Sequence, residues 1–448
     1  MLDRRKGIPI AEERLRRQLE ELLGSAAVGL ADPKLADMLA APGLLQASPS
    51  TPELAASALR VCAESEAAAI PVGAGSKLAR GRLPRKADVL LSTAALDQIS
   101  NHQPADLTVS TQTGVPLKSL QAELAAAGQF LAVDPPWGDV ATLGGLVACG
   151  SEGPLRRRYG ALRDQLLGLR VANPDGTLTW AGGQVVKNVS GYDLTRLHTG
   201  AYGTLGLITD VNLKVWPQPE EELTVLGQGA DPLPLLERLA VSPFWPLAAD
   251  LFLGRAATQL GNAGQGQFLL ALRFGGRASA NARGQSDAVA LLSGAGAPDP
   301  QVLAGADSAE FWNNAAALQP DCQSAGFAVA AIALPARNRV ELLQAGSARW
   351  REAGIEFSGW GRTEHGWFHV ALAGSTGLRA LAGELGWLRQ QCTAGRGACV
   401  FEHLPDQLAG QLDPWGPADP VAQAAMERLK TALDPRAVIS PGRYLGGI

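Results

Sequence analysis

Ala141-Thr-Leu-Gly-Gly-Leu-Val-Ala-Cys-Gly150, followed by Gly153-Pro154, is the stretch on which the fold is decided. Adjacent glycines inside an apolar run weaken a plain helix or strand, because each loses backbone freedom without packing a side chain. Gly144 and Gly145 would instead let the backbone approach a flat or charged ligand closely, which a Cβ would prevent. A second glycine loop lies upstream, Gly73-Ala-Gly-Ser-Lys77, at the exit of the apolar run Ala69–Val72. It lacks the spacing of a Walker A loop, and Leu78 stands where a Rossmann GxGxxG motif needs its third glycine. A strand exit of small residues can still turn its N–H groups toward an anion, with Ser76 and Lys77 as side-chain donors. An ordinary strand-exit turn is the competing reading of the same residues.

The chain has 448 residues, 46% of them hydrophobic and 18% charged. That is enough for two or three domains and excludes a disordered chain. A net charge of −4 and a pI near 5.8 argue against a nucleic-acid partner, which needs a basic face. The five cysteines (Cys62, Cys149, Cys322, Cys392, Cys399) are scattered and include no CxxC pair, so no zinc ribbon, iron–sulfur cluster or disulfide framework is expected. No apolar run reaches the ~18–20 residues of a membrane span. The best candidate, Gly326 to Leu334, is stopped by Pro335 and reads as a buried strand. Charged residues Asp3 to Lys6 lead into no apolar segment, so a soluble, cytoplasmic protein is expected.

Helical spacing of leucines marks Ile10 to Leu39, broken near Gly24 or Pro33. Leu44 to Ser48 reads as strand, and Ser50 with Glu53 as a capping box opening a helix to about Ser65. Strands are expected at Ala69–Gly73, Val89–Ser92, Leu107–Gln112, Gln165–Val171 and Gly206–Leu213, with a helix at Pro116–Ala127. Pro217-Gln-Pro219 is a plausible boundary. Beyond it, the pattern from Phe327 to Glu402 is strand, helix, strand, strand, helix, strand, the order of a ferredoxin-like unit. Residues 221–295 give a weaker hint of a related unit, and Ala422–Leu433 reads as a closing helix.

Val186-Lys-Asn-Val-Ser-Gly-Tyr-Asp-Leu-Thr-Arg-Leu197 and Gly200-Ala-Tyr-Gly-Thr-Leu-Gly-Leu-Ile-Thr209 complete the series of motifs. In this order the chain resembles the FAD-binding domain of the vanillyl-alcohol-oxidase and p-cresol-methylhydroxylase (PCMH) superfamily. The likeness runs from about Leu44 to Pro219 and returns at Leu429-Lys430, Leu433-Asp-Pro435 and Pro441-Gly-Arg443. Within the superfamily it is similar to bacterial glycolate oxidase FAD-binding subunits of the E type.

The resemblance implies an α+β fold, a two-lobed PCMH-type FAD-binding domain with a ferredoxin-like α/β cap. The expected division is an N-terminal helical extension at 1–43, the FAD domain at 44–219, the cap at 220–403 and a returning C-terminal segment at 404–448. The implied function is that of an FAD-dependent oxidoreductase acting on CH–OH groups, as the FAD-binding subunit of a 2-hydroxy acid (glycolate-type) oxidase or dehydrogenase. A stand-alone dehydrogenase or oxidase of a D-lactate-like hydroxy acid or a sugar is the alternative. The implied partners are a second FAD-containing subunit and an iron–sulfur subunit, which would place the chain peripherally at the inner face of the membrane.

Carried over residue by residue, Val72, Gly73, Ala74, Gly75, Ser76 and Lys77 would wrap the FAD diphosphate. Asp134, Pro135, Pro136, Ala141, Thr142, Gly144, Gly145 and Gly150 would line the flavin and its ribityl chain, with Gly203 and Ile208 reaching it from the far side. The loop Pro71 to Gly81 has no histidine for a covalent link, so noncovalent FAD is expected. Relatives often carry Ser where this chain has Glu152, and a carboxylate beside reduced flavin would be costly, so Glu152 is expected to point outward. Lys187 would neutralise reduced flavin or a substrate carboxylate, or else pair with an acid such as Asp193.

Catalytic relatives also carry a His-rich metal motif with Gly-Asp-Gly-Asn, where this chain has Glu364-His-Gly-Trp-Phe-His369. In an extended strand His365 and His369 would lie about 13 Å apart, too far to share a metal, so no metal is expected. His102, His198 and His403 read as structural or surface residues, and no catalytic residue is assigned.

Overall fold

The computed structural model describes residues 10–183, 192–261, 263–264, 266–364, 366–374 and 377–448. The first lobe is a four-stranded sheet in the order Val28–Leu30, Leu45–Ala47, Val89–Ser92, Ala69–Val72, the last three parallel. Helix Pro52–Glu64 covers it, burying Leu59 together with Ala55, Ala56 and Ala58, whose small side chains let helix and sheet approach closely. The helix is capped by Thr51, whose Oγ accepts from the Leu54 N–H at 3.2 Å. Ser50, the expected cap, lies one residue too early: Pro52 must occupy the first turn, which leaves the extended Thr51 at the cap.

The second lobe is a five-stranded antiparallel sheet, Ile99–Gln103, Thr108–Gln112, Leu207–Lys214, Leu166–Ala172, Leu178–Gly182. Its inward leucines and valines share a core with Leu143, Leu146 and Val147 of the helix Leu143–Cys149. That helix carries the adjacent glycines. Thr142 caps its start, accepting from the Gly145 N–H at 3.3 Å, and Gly150 ends it in the left-handed conformation at φ 58°. The glycine-rich stretch is thus a short helix between two loops.

Residues 221–403 build one eight-stranded antiparallel sheet from two ferredoxin-like units. Gln301–Ala304, Glu221–Gly229, Phe268–Gly276 and Ala248–Gly254 form the first, and Ile355–Arg362, Phe368–Gly374, Ala328–Ala333 and Ala398–His403 the second. In chain order each unit reads 4-1-3-2 across the sheet, and the second strands of the two units, Ala248–Gly254 and Ile355–Arg362, pair edge to edge. One face packs on Leu235, Leu239, Leu292, Leu343, Trp350 and Leu385 of four helices. The other packs on Phe311, Trp312 and Leu318 of helix Gly305–Ser324. No helix among the described residues is long and apolar enough to cross a membrane.

After helix Pro420–Leu433 the chain returns to the first lobe, where Ile439 bridges Ala69. Lys430 Nζ is buried and donates to Thr204 O at 2.7 Å, Ile439 O at 2.8 Å and Asp434 Oδ2 at 2.6 Å. Asp434 in turn accepts from the N–H groups of Val438 and Ile439. Such a pair holds only while both partners are present, because either one alone is an uncompensated buried charge. Asp434→Ala is therefore expected to cost about 3–5 kcal/mol. A clearly lower denaturant midpoint would bear this out; an unchanged midpoint would show that the knot does not hold the tail.

Candidate functional site

Two cavities meet between the lobes and the eight-stranded sheet. The smaller, about 90 Å³, is lined by the loop Val72–Leu78 on one side and by Thr142, Gly144, Gly145, Gly203 and Ile208 on the other. The larger, about 360 Å³, is lined by Asp134, Pro136, Gly150 and Glu152 and by the sheet residues Trp360, Arg362, His369 and Glu402. Cys149 and Tyr202 line both, so the two spaces adjoin at these residues. Of the residues expected from the sequence to hold the cofactor, Val72, Gly73, Ala74, Gly75, Ser76, Lys77, Thr142, Gly144, Gly145, Gly203 and Ile208 lie on the smaller cavity. Asp134, Pro136 and Gly150 lie on the larger.

Pro135 and Ala141 line neither cavity. Ala141 is buried in the core of the second lobe, and its carbonyl accepts from Leu117. Gly144 has a packing role besides its place on the smaller cavity. A Cβ there would meet the Thr113 Cβ at 2.8 Å, so this glycine serves helix-on-sheet packing besides facing the cavity. Lys187, Asn188 and His365 lie outside the described residues. Asp193 caps the helix Leu194–His198 and pairs with Arg196 at 3.0 Å.

The smaller cavity is a cradle of backbone and buried cations. Gly75 and Gly203 have φ of 76° and 63°, as a loop folding around a ligand requires, and a side chain on Gly73 would run into Thr142. Lys77 is buried, with Nζ 3.4 Å from Pro136 O and 5.3 Å from the centre of the Trp137 ring. Burial, and then the Arg80 charge, push its ammonium down to about 8, so it is still mostly charged at neutral pH. Arg443, from the C-terminal tail, donates at 2.6 Å to the carbonyls of Leu78 and Arg80 and so clamps the loop from behind. Among the described residues neither Lys77 nor Arg443 pairs with a carboxylate. Buried cations without counter-charges are costly, and a diphosphate in the cradle would supply the missing charge. The residues present therefore fit FAD.

The larger cavity is electrostatically different, because its arginines already have partners. Arg80 pairs with Glu402 at 3.1 Å. Glu402 also accepts from Gln319 at 2.7 Å and lies 3.2 Å from His369 Nε2, whose ring stacks on Trp360 at 5.4 Å. Burial alone would raise the Glu402 carboxyl, but Arg80, then His369 and Gln319, hold it down at about 2. Burial pushes Asp250 up to about 7 against the pull of Arg362, and Asp134 up to about 6 against Arg273. Burial also raises the Tyr202 hydroxyl and the Cys149 thiol, so both are neutral at the junction.

Tyr202 itself sits at φ 55° and Trp137 at φ 60°, left-handed conformations that non-glycine residues rarely adopt. Tyr202, Trp415 and Tyr444 form an aromatic cluster with ring centres 4.8 to 5.7 Å apart. Glu152 does not point outward as expected. It turns into the larger cavity and pairs with Arg156 and, at 3.2 Å, with Arg362. Among the described residues no cluster of three His, Cys, Asp or Glu side chains is placed to hold a metal. His102 hydrogen-bonds Gln129 at 2.9 Å, and burial lowers the buried His198 to about 4, as structural roles require.

A family model described as an FAD binding domain matches residues 44–182. The glycolate oxidase subunit GlcE of Escherichia coli (strain K12) is 44% identical over 128 residues, 28% of this chain and 37% of that protein. The glycolate oxidase subunit GlcD of Bacillus subtilis (strain 168) is 34% identical over 169 residues, 38% of this chain and 36% of that one. A D-lactate dehydrogenase of Anaerostipes hadrus is 33% identical over 188 residues, 42% of this chain and 39% of that one. The matched stretches thus span well under half the length of these relatives.

Solved structures of similar fold include an alkyldihydroxyacetonephosphate synthase, at TM-score 0.75 and 16% identity, covering 99% of this chain and 86% of that one. The 4-ethylphenol oxidase of Gulosibacter chungangensis follows at 0.74 and 14%, covering 98% of each chain. At such identities these show the fold alone.

Because a Cβ at Gly73 has no room, Gly73→Val is expected to yield folded protein that retains no flavin. Gly386→Ala, on an exposed helix face with open space around it, should leave flavin content unchanged. Absorbance near 450 nm relative to 280 nm (approximate band positions for bound flavin and protein) reads both, and equal flavin in the two variants would count against the cradle. Residues 44–182 thus match an FAD binding domain, and the cradle that this stretch helps to build fits the same cofactor.

Proposed function

We propose that the chain is the FAD-binding subunit of a 2-hydroxy acid oxidase or dehydrogenase of the glycolate type, passing electrons from substrate toward a partner or acceptor. The observation that carries this reading is that the two cavities adjoin. A cationic glycine cradle borders, at Cys149 and Tyr202, a chamber walled by arginines, carboxylates and aromatic rings. When bound, FAD would carry the electron pair taken from a CH–OH group, whether the acid is oxidised beside this chain's flavin or on a partner.

The chain's own residues do the rest. Val72 to Lys77, with Thr142, Gly145 and Gly203, hold the cofactor through backbone groups and without a covalent link. Asp134, Pro136 and Gly150 border the chamber beside it. The aromatic cluster at Tyr202 and Trp415 limits water around the reacting end. A second flavin subunit and an iron–sulfur subunit are the proposed partners, and the likeness to two proteins named as glycolate oxidase subunits supports them. The second reading, a stand-alone dehydrogenase of a D-lactate-like acid, is favoured by the likeness to D-lactate dehydrogenases and by a chamber contained within one chain.

The test is to purify the tagged chain from its own cells and to add glycolate or D-lactate without air, once to the assembly and once to the chain freed of partners. The proposal expects companions that include a flavoprotein and an iron–sulfur protein, and flavin absorbance that bleaches in the assembly. Full bleaching by the isolated chain, with no companions, would replace it by the stand-alone reading. Flavin that neither substrate reduces in either sample would overturn both.

A further inference from the structure

Glu152 has no use in the account so far, yet it occupies the middle of the chamber's charged wall. Its carboxylate is gripped from two sides. Arg156 reaches it from one turn further along the same loop, and Arg362 from the sheet strand Ile355–Arg362 at 3.2 Å. The Glu152 and Arg362 side chains are 15% and 9% exposed, and all three residues line the larger cavity. Arg362 is held in place independently of Glu152. Asp250 lies directly across the neighbouring strand, and Gly366, at φ 127°, brings its backbone so close to the guanidinium that a side chain would collide with it.

Among the described residues four arginines face this cavity: Arg80, Arg156, Arg163 and Arg362. Arg80 is engaged by Glu402 at 3.1 Å. Arg163 is half exposed and sits 3.8 Å from Asp164. Arg156 and Arg362 alone among them converge on one carboxylate, both at Glu152 Oε1, and paired guanidinium groups are a common means of recognising a carboxylate ligand. That ligand is already present, as part of the chain.

We propose that Glu152 is an internal carboxylate seated where the carboxylate of a small 2-hydroxy or 2-oxo acid would bind, and that it excludes such acids from this chain's own chamber. A tethered carboxylate acts at an effective concentration of roughly millimolar or more, so a free monocarboxylate must exceed that level to displace it. The proposal deepens the reading above, from which it takes the substrate class. It makes Glu152 the residue that decides whether this chain binds a hydroxy acid itself or leaves that step to a partner. The flavin spectrum decides the earlier reading and ligand binding decides this one, so the two fail separately.

The test is anaerobic titration calorimetry of the purified flavin-containing chain with sodium glycolate. The wild type should show no saturable binding below about 10 mM, and Glu152→Gln should bind at least about tenfold more tightly. Adding Arg362→Gln to Glu152→Gln should cancel that gain. Submillimolar binding by the wild type would overturn the proposal. So would a folded Glu152→Gln chain, checked by circular dichroism, that binds no better, or a gain that survives loss of Arg362. Should Glu152→Gln fail to fold, Glu152→Ser takes its place with the same expected gain, and the wild-type titration still decides the exclusion.

Discussion

No side chain fits between Gly73 and Thr142, and the architecture of the site follows from that contact. A Cβ on Gly73 would collide with the Thr142 hydroxyl, which also caps the helix Leu143–Cys149. The exit loop of the parallel sheet and the helix lying on the antiparallel sheet therefore meet backbone to side chain, with the smaller cavity between them. The C-terminal tail completes the joint. Arg443 grips the loop through the carbonyls of Leu78 and Arg80, and the Lys430–Asp434 pair anchors the segment that carries it. A chain that wraps back over more than three hundred residues to brace one loop is explained if that loop must hold its shape around a ligand.

Charge separates the two cavities. In the cradle Lys77 and Arg443 donate to backbone carbonyls, and an anionic cofactor completes the balance. In the chamber Arg80 is answered by Glu402, Arg156 and Arg362 by Glu152, and Asp134 by Arg273 from behind the wall. The cradle is thus built to accept a negative charge from outside. The chamber has largely satisfied its own charges within its wall.

Much of this was legible in the sequence. Strands such as Val89–Ser92 and helices such as Ala336–Glu352 carry clear hydrophobic patterns, and the glycine motifs placed eleven of the expected residues on one small cavity. Residues 221–295 gave only a hint of the first ferredoxin-like unit, and helix Gly305–Ser324 was not read, although Phe311, Trp312, Ala315, Leu318 and Cys322 recur at helical spacing, because Pro320 within it argues against a helix. The sheet-side wall was missed for a different reason. Asp250 and Phe252, Trp360 and Arg362, then His369 and finally Val400 and Glu402 alternate onto the face bordering the chamber. The period of two was readable, but nothing local says that strands about a hundred residues apart in sequence will pair. Glu152 was misplaced because its compensating arginine, Arg362, arrives from the far sheet, 210 positions later.

The central claim is that the cradle between Gly73 and Thr142 holds FAD without a covalent bond. Its most direct measurement is the flavin content of the purified chain before and after acid precipitation. The account predicts stoichiometric FAD that passes wholly into the supernatant, as cradle residues acting through backbone groups and cations require. A colourless protein that stays colourless when incubated with FAD would contradict it, as would flavin that remains bound to the precipitate.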